Sequence, residues 1–199
     1  MIAKIAKPSN DFYAVAHCNQ EKIDKGGGKI IGTKLLCSRI PRKLDKAFNL
    51  FSYPARTKKP VFSVSLTFAP EDSSQLNDTI LAEISREYLT EMGYGKQPFI
   101  IYRQEEKGQL QIHILSMRVD LYTKRKINDN FERYRSKEVS QRIALKYKLA
   151  GVAKRIETCQ LISNAVKAAL VNNPTNFEEL NRALSQNGSM YRVEKTVRG

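Results

Sequence analysis

The run from Pro60 to Phe68 constrains the fold more than any other stretch of this chain. Phe62, Val64, Leu66 and Phe68 alternate with Ser63, Ser65 and Thr67. Period-two alternation sends the apolar set to one side of a strand and the hydroxyl set to the other, which predicts a sheet with one buried face. Further strands are expected over residues 2 to 6, about Gln97 to Arg103 and about Leu110 to Asp120. The last two are separated by Gln104-Glu105-Glu106-Lys107-Gly108-Gln109, which reads as a hairpin loop.

Helices fit between these strands. Asn10 and Asp11 suit the cap of a helix running to about Lys25, which Gly26-Gly27-Gly28 then stops. Residues 29 to 59 read as a basic, irregular region interrupted by Pro41 and Pro54, with an amphipathic helix around Leu44 to Phe51. Ile80, Leu81, Ile84, Tyr88 and Met92 recur at helical spacing and are closed by Gly93 and Gly95. Later helices are expected over Ser136 to Tyr147, 155 to 172 and 175 to 186, and a last strand over Met190 to Glu194. The interleaving predicts an α+β fold with a mainly antiparallel sheet in residues 1–150 and a helical extension in 151–199. Residues 177 to 198 read as the beginning of a further module, as in a truncated longer protein.

The chain has 34 Lys+Arg against 20 Asp+Glu, a net charge of +14 over 199 residues. Such an excess favours a polyanionic partner, because each phosphate neutralised by Lys or Arg releases condensed counterions. The excess is clustered. Lys124, Arg125, Lys126, Arg133 and Arg135 lie among Tyr122, Tyr134 and Tyr147, whose rings suit the stacking of unpaired bases. Arg39, Arg42, Lys43, Lys46, Arg56, Lys58 and Lys59 form a second cluster. No apolar run reaches the ~18 residues of a membrane span. The 3 cysteines form no CxxC pair, so neither a zinc ribbon nor a disulfide framework is indicated, and a cytoplasmic setting is expected.

Residues two apart in a strand share a face. Gln111 and His113 therefore point the same way, Ile112 points the other, and Gln104 on the facing strand approaches the same spot. This is the geometry of a three-ligand metal site, to which Glu105 or Glu106 would have to add charge. Glutamine itself offers only a neutral carbonyl oxygen.

The stretch Gln97-Pro98-Phe99-Ile100-Ile101-Tyr102-Arg103, then Ile112-His113-Ile114, Arg118 and Asp120, resembles the third motif of plasmid and transposon mobilisation relaxases. The likeness is closest to small relaxases of Bacteroides-type mobilisable elements. It extends back through Ser65, Leu66, Phe68, Pro70 and Asp72 and the Tyr88 helix, and forward through Lys124-Arg125, covering roughly residues 1 to 150. The resemblance implies a histidine-hydrophobe-histidine endonuclease fold, a five-stranded antiparallel sheet flanked by helices. It implies DNA as partner, a transfer origin bound as hairpin plus single strand, other mobilisation proteins nearby, and Mg²⁺ or Mn²⁺ as cofactor if the chain is active. In such enzymes a tyrosine on an N-terminal helix attacks a phosphodiester.

This chain departs from that pattern at the reactive positions. The family's histidines fall on Gln104, Gln109, Gln111 and His113, its nucleophilic tyrosine on Cys18, and a further strand histidine on Ser63. Besides a fold adopted for something unrelated, two readings stay open. One is a nicking enzyme with His113, Gln111, Gln104 and Glu105 or Glu106 around a metal and Tyr13 or Cys18 as nucleophile. The other is an inactive homologue that binds the origin as an accessory or regulatory factor, with no metal required. In both, Arg103, Arg118, Lys124, Arg125, Lys126, Arg133, Arg135, Arg42 and Lys43 are the expected DNA contacts. Cys18 taken alone reads as a small buried hydrophobe.

Overall fold

The computed structural model describes residues 1–106, 108–171 and 174–186, with backbone alone for 151–160 and 177. It divides into two compact units, Met1–Val152 and Ala153–Gly199. In the first unit the order is β1 (Ile2–Ile5), α1 (Phe12–Asp24), β2 (Gly28–Lys34), α2 (Pro41–Ser52), β3 (Val61–Thr67), α3 (Asp78–Glu91), β4 (Phe99–Glu106), β5 (Gln109–Met117) and α4 (Glu132–Lys146). Helices α5 (Ala150–Leu170) and α6 (Phe177–Gln186) follow. Around them Ala169, Ala183 and Leu184 form a small apolar cluster of their own. The strand expected over Met190 to Glu194 lies outside the described residues.

The five strands form one sheet in the order β1-β3-β5-β4-β2, and every neighbouring pair is antiparallel. The expected α+β fold with a five-stranded antiparallel sheet is what the chain adopts. Phe62, Val64 and Leu66 of β3 point with Ile112 and Ile114 of β5 into a core closed by Leu81, Ile84 and Tyr88 of α3 and Val139 and Ile143 of α4.

The opposite face is not left to solvent, as the serine alternation of β3 suggests. Val61, Leu115, Met117, Ile100 and Tyr102 meet Phe12 and Ala16 of α1 and Leu44 and Phe48 of α2 in a second core. There the Phe12 and Phe48 rings stack 4.8 Å apart. Ser63, Ser65 and Thr67 are half-buried at its margin.

The helix starts follow their caps. The Asp11 side chain accepts from the Ala14 amide at 2.8 Å, and the Asn77 side chain accepts from the Ile80 amide at 2.9 Å. Gly26, at φ +78°, closes α1 in the left-handed region.

Strand β2 corrects the expectation of an irregular region after Gly28. Its register slips between Ile30 and Gly32: Ile30 pairs with Tyr102, Ile31 is the extra residue and packs on the α3–α4 core, and Gly32 pairs with Ile101 of that same core. A Cβ on Gly28 would lie 2.8 Å from the Arg103 carbonyl oxygen, so only glycine permits this approach of β2 to β4. Helix α4 begins at Glu132, four residues before its expected start. Phe131 precedes it in a left-handed conformation, φ 51° and ψ 25°.

Candidate functional site

Pairing in the β4–β5 hairpin sets Gln104 opposite Gln111 and Tyr102 opposite His113. On the other side of β5, Ser65 opposes His113 and Thr67 opposes Gln111. Gln104, Gln111 and His113 therefore share the face covered by α1, as their spacing predicts. Phe12, Ala16 and Asn19 form the buried stripe of that helix, so α1 lowers a polar side chain onto the site. The Gln104 amide donates to Asn19 Oδ1 at 2.8 Å, and Asn19 Nδ2 in turn donates to the Val15 carbonyl at 2.8 Å. Gln104 Oε1 and the Tyr102 hydroxyl oxygen are buried and have no hydrogen-bond partner among the described residues. His113 Nε2 lies 3.4 Å from Gln111 Oε1. Burial, helped by the Lys22 charge and opposed by Glu106, lowers the His113 pKa to about 4, so the ring is neutral at ordinary pH.

The other expected members of the site fall elsewhere. Glu105 opposes Leu110, whose side chain belongs to the α3–α4 core, so Glu105 is on the face away from His113. Glu106 is on the His113 face, but it is exposed and pairs with Lys22 at 3.5 Å. On α1, the Tyr13 and His17 rings lie 5.3 Å apart, and His17 Nδ1 is 3.7 Å from Glu21. Cys18 is exposed, contrary to the buried role expected of a lone helical thiol. None of Tyr13, His17 and Cys18 bonds to Gln104, Gln111 or His113.

The expected DNA contacts also separate. Arg103, on the face away from His113, pairs with Asp78 at 2.7 Å. Lys29 pairs with the same carboxylate at 2.5 Å, and Lys29 and then Arg103 hold Asp78 below its usual range against its partial desolvation. Arg118 corrects the expectation of a phosphate contact. It is buried and donates to Glu132 Oε1 at 2.8 Å and to the Val61 carbonyl at 3.1 Å, over the Phe62 ring. Burial, with Glu132 beside it, drives the Tyr94 hydroxyl pKa far up, and that hydroxyl donates to the same carboxylate oxygen at 2.6 Å. The guanidinium is a structural centre between β3, β5 and α4.

Arg135 donates to the Asn128 carbonyl at 2.7 Å. Arg42, Lys43 and Arg133 are exposed. Lys124, Arg125 and Lys126 belong to a turn organised by Asp120. That carboxylate accepts from the Tyr122 amide at 3.1 Å and from the Thr123 amide and hydroxyl at 2.7 and 2.9 Å. The Thr123 amide is the main cause of its lowered pKa.

Residues 11–149 match the family model described as Relaxase: MobA/VirD2-like, nuclease domain. The chain belongs to that family. No curated protein and no solved structure matches it. Relaxase nuclease domains are generally metal-dependent and the family implies DNA binding. In this relaxase-family domain, however, the donors gathered on one face, apart from the exposed Glu106 paired with Lys22, are one neutral imidazole and two amides, and the NH2 group of one amide is engaged by Asn19. Among the described residues no group of three His, Cys, Asp or Glu side chains is placed to hold an ion. Uncharged amide oxygens do not offset a divalent charge, so these residues do not fit the metal of an active relaxase. Among the described residues no helix is long and apolar enough to cross a membrane.

Asn19 is the site residue that sequence reasoning missed. Its signal was legible: a single amide at i+7 from Phe12 and i+3 from Ala16, on an otherwise apolar stripe.

Proposed function

We propose that this chain is a relaxase-type mobilisation protein that binds the DNA of a mobile element's transfer origin in the cytoplasm and does not nick it. It acts as an accessory or regulatory factor beside other mobilisation proteins. The Gln104–Asn19 hydrogen bond carries this reading, because it ties the amide at the family's ligand position to α1 and leaves only a neutral oxygen where a nicking enzyme needs charge to hold an ion. The net charge of +14 supports DNA binding.

The test uses labelled origin-type single strand with Mn²⁺ and a denaturing gel. Binding without a covalent adduct is expected. The active alternative draws on Glu106, which shares the His113 face. In that reaction Tyr13 or Cys18 bonds to phosphorus, the 3′ oxygen leaves, and a 5′-phosphoprotein link remains. An adduct that disappears in Tyr13→Phe or Cys18→Ala would overturn the non-nicking reading. The double variant Gln104→His/Gln111→His is expected to gain Mn²⁺ affinity over the native chain, since it restores three imidazoles on one face.

A further inference from the structure

Two segments distant in sequence meet at the end of β5 remote from His113. Arg56, Lys58 and Lys59, before β3, and Lys124, Arg125 and Lys126, after β5, line one cleft of about 680 Å³, with Arg118, Pro8 and Asp129 also in its wall. Arg118 lies five residues beyond His113, roughly 17 Å along an extended strand, so this cleft is separate from the imidazole site.

The charge in the cleft is only partly matched. The buried Arg118 is compensated by Glu132, and Lys126 pairs with Asp129 at 2.7 Å. Lys124 reaches a neutral acceptor, the Phe51 carbonyl at 3.0 Å. Arg56, Lys58, Lys59 and Arg125 are exposed and form no ion pair among the described residues. Cations facing each other across a cleft repel, and a polyanion running between them relieves that repulsion. The volume exceeds one phosphate and suits a run of them. The Asp120 hydrogen bonds hold one wall in shape: the Asp120 amide donates to the Arg125 carbonyl at 2.8 Å, and the Lys124 amide donates back to the Asp120 carbonyl at 3.0 Å.

Large rings stand out of the same loop. Tyr122 is 75% exposed and Phe131 is 85% exposed, two residues beyond Asp129. Phe131 sits at φ 51°, uncommon for a bulky residue, with its carbonyl accepting from the Tyr134 and Arg135 amides at the start of α4. No packing accounts for a ring this exposed. A flat apolar surface beside a phosphate-binding cleft is what an unpaired base stacks on, whereas duplex bases are already stacked.

We infer that this cleft is a second nucleic-acid site, which seats the backbone of single-stranded DNA between the Lys58–Lys59 and Lys124–Lys126 walls and stacks a base on Phe131. The inference rests on the DNA-binding reading above and adds to it a site away from His113.

Anisotropy titrations of the full chain with fluorescein-labelled (dT)20, across a range of salt, test it. Lys58→Ala/Lys59→Ala/Arg125→Ala is expected to flatten the slope of log affinity against log salt by about 2, at ~0.7 for each single-strand phosphate contact. A charge-matched control, Arg86→Ala/Lys96→Ala/Lys137→Ala, is expected to keep the native slope. Phe131→Asn keeps a residue that tolerates the left-handed conformation and removes the ring. It is expected to weaken binding about tenfold at unchanged slope. A cleft variant with native slope and affinity, or Phe131→Asn with native affinity, overturns the inference and leaves the DNA-binding reading standing. Tighter binding of a 20-base-pair duplex, indifferent to Phe131→Asn, also overturns it. A native chain that binds no DNA sinks both.

Discussion

The two ends of β5 treat polarity in opposite ways. At the Gln111–His113 end the polar groups are neutral, burial keeps the imidazole uncharged, and the neighbouring amide is tied to α1. At the Arg118 end a full charge goes inside, matched by Glu132 and by the Val61 carbonyl, while further cations stay outside it. In the family's enzymes the first end is where charge would be concentrated around an ion. Here the charge lies at the second end. On the proposed reading, the strand keeps its register and its fold while the working electrostatics move from one of its ends to the other.

The largest expected effect that tests this contrast is on Arg118. Arg118→Ala strands the buried Glu132 carboxylate and should cost about 3–5 kcal/mol in urea unfolding, whereas Arg118→Met/Glu132→Leu should recover most of the loss. A double variant as unstable as the single one would mean that packing, not charge pairing, dominates that end.

At the other end the effect depends on pH. The unfolded chain protonates His113 near 6.5 and the folded chain near 4. The unfolded state therefore binds the extra proton between those values. Stability is full above pH 6.5, falls by up to ~3 kcal/mol as pH drops to 4, and changes no further below that. His113→Gln should remove this part of the pH dependence in urea melts. A slope unchanged by the substitution would show that the ring is solvated.

Smaller again, Gln104→Leu leaves Asn19 Oδ1 without its donor and should cost about 1–2 kcal/mol, mostly regained in Asn19→Leu/Gln104→Leu. The smallest effect belongs to the outer cleft. Lys58→Ala should shift stability by less than ~0.5 kcal/mol while weakening DNA binding. A large loss of stability there would place Lys58 in the fold and not at a surface.

Much of this architecture was legible before the structure because it is written in local periods. Phe62, Val64 and Leu66 announce β3, and Ile80, Ile84 and Tyr88 announce α3. Strand β2 escaped because its bulge breaks the alternation between Ile30 and Gly32, and two glycines dilute what is left. The burial of Arg118 escaped for another reason. Its partners Glu132 and Tyr94 lie 14 and 24 residues away, so only the packed fold shows that its charge is spent. The Gln104, Gln111 and His113 face was correctly read from a period of two. Glu105 was open in that reading, and the same period sets it on the opposite side. The convergence of Lys58–Lys59 with Lys124–Lys126 has no local signature, since it depends on β3 and β5 being neighbours.

The slip in β2 also bears on how this protein keeps company with itself. β2 is an outer strand of the sheet, with β4 on one side and, among the described residues, no strand on the other. Its bulge bends and twists the outer row of amides and carbonyls out of line. A second copy meets a crooked selvedge instead of a straight ladder, so the same irregularity that hid the strand disfavours edge-to-edge pairing at this border.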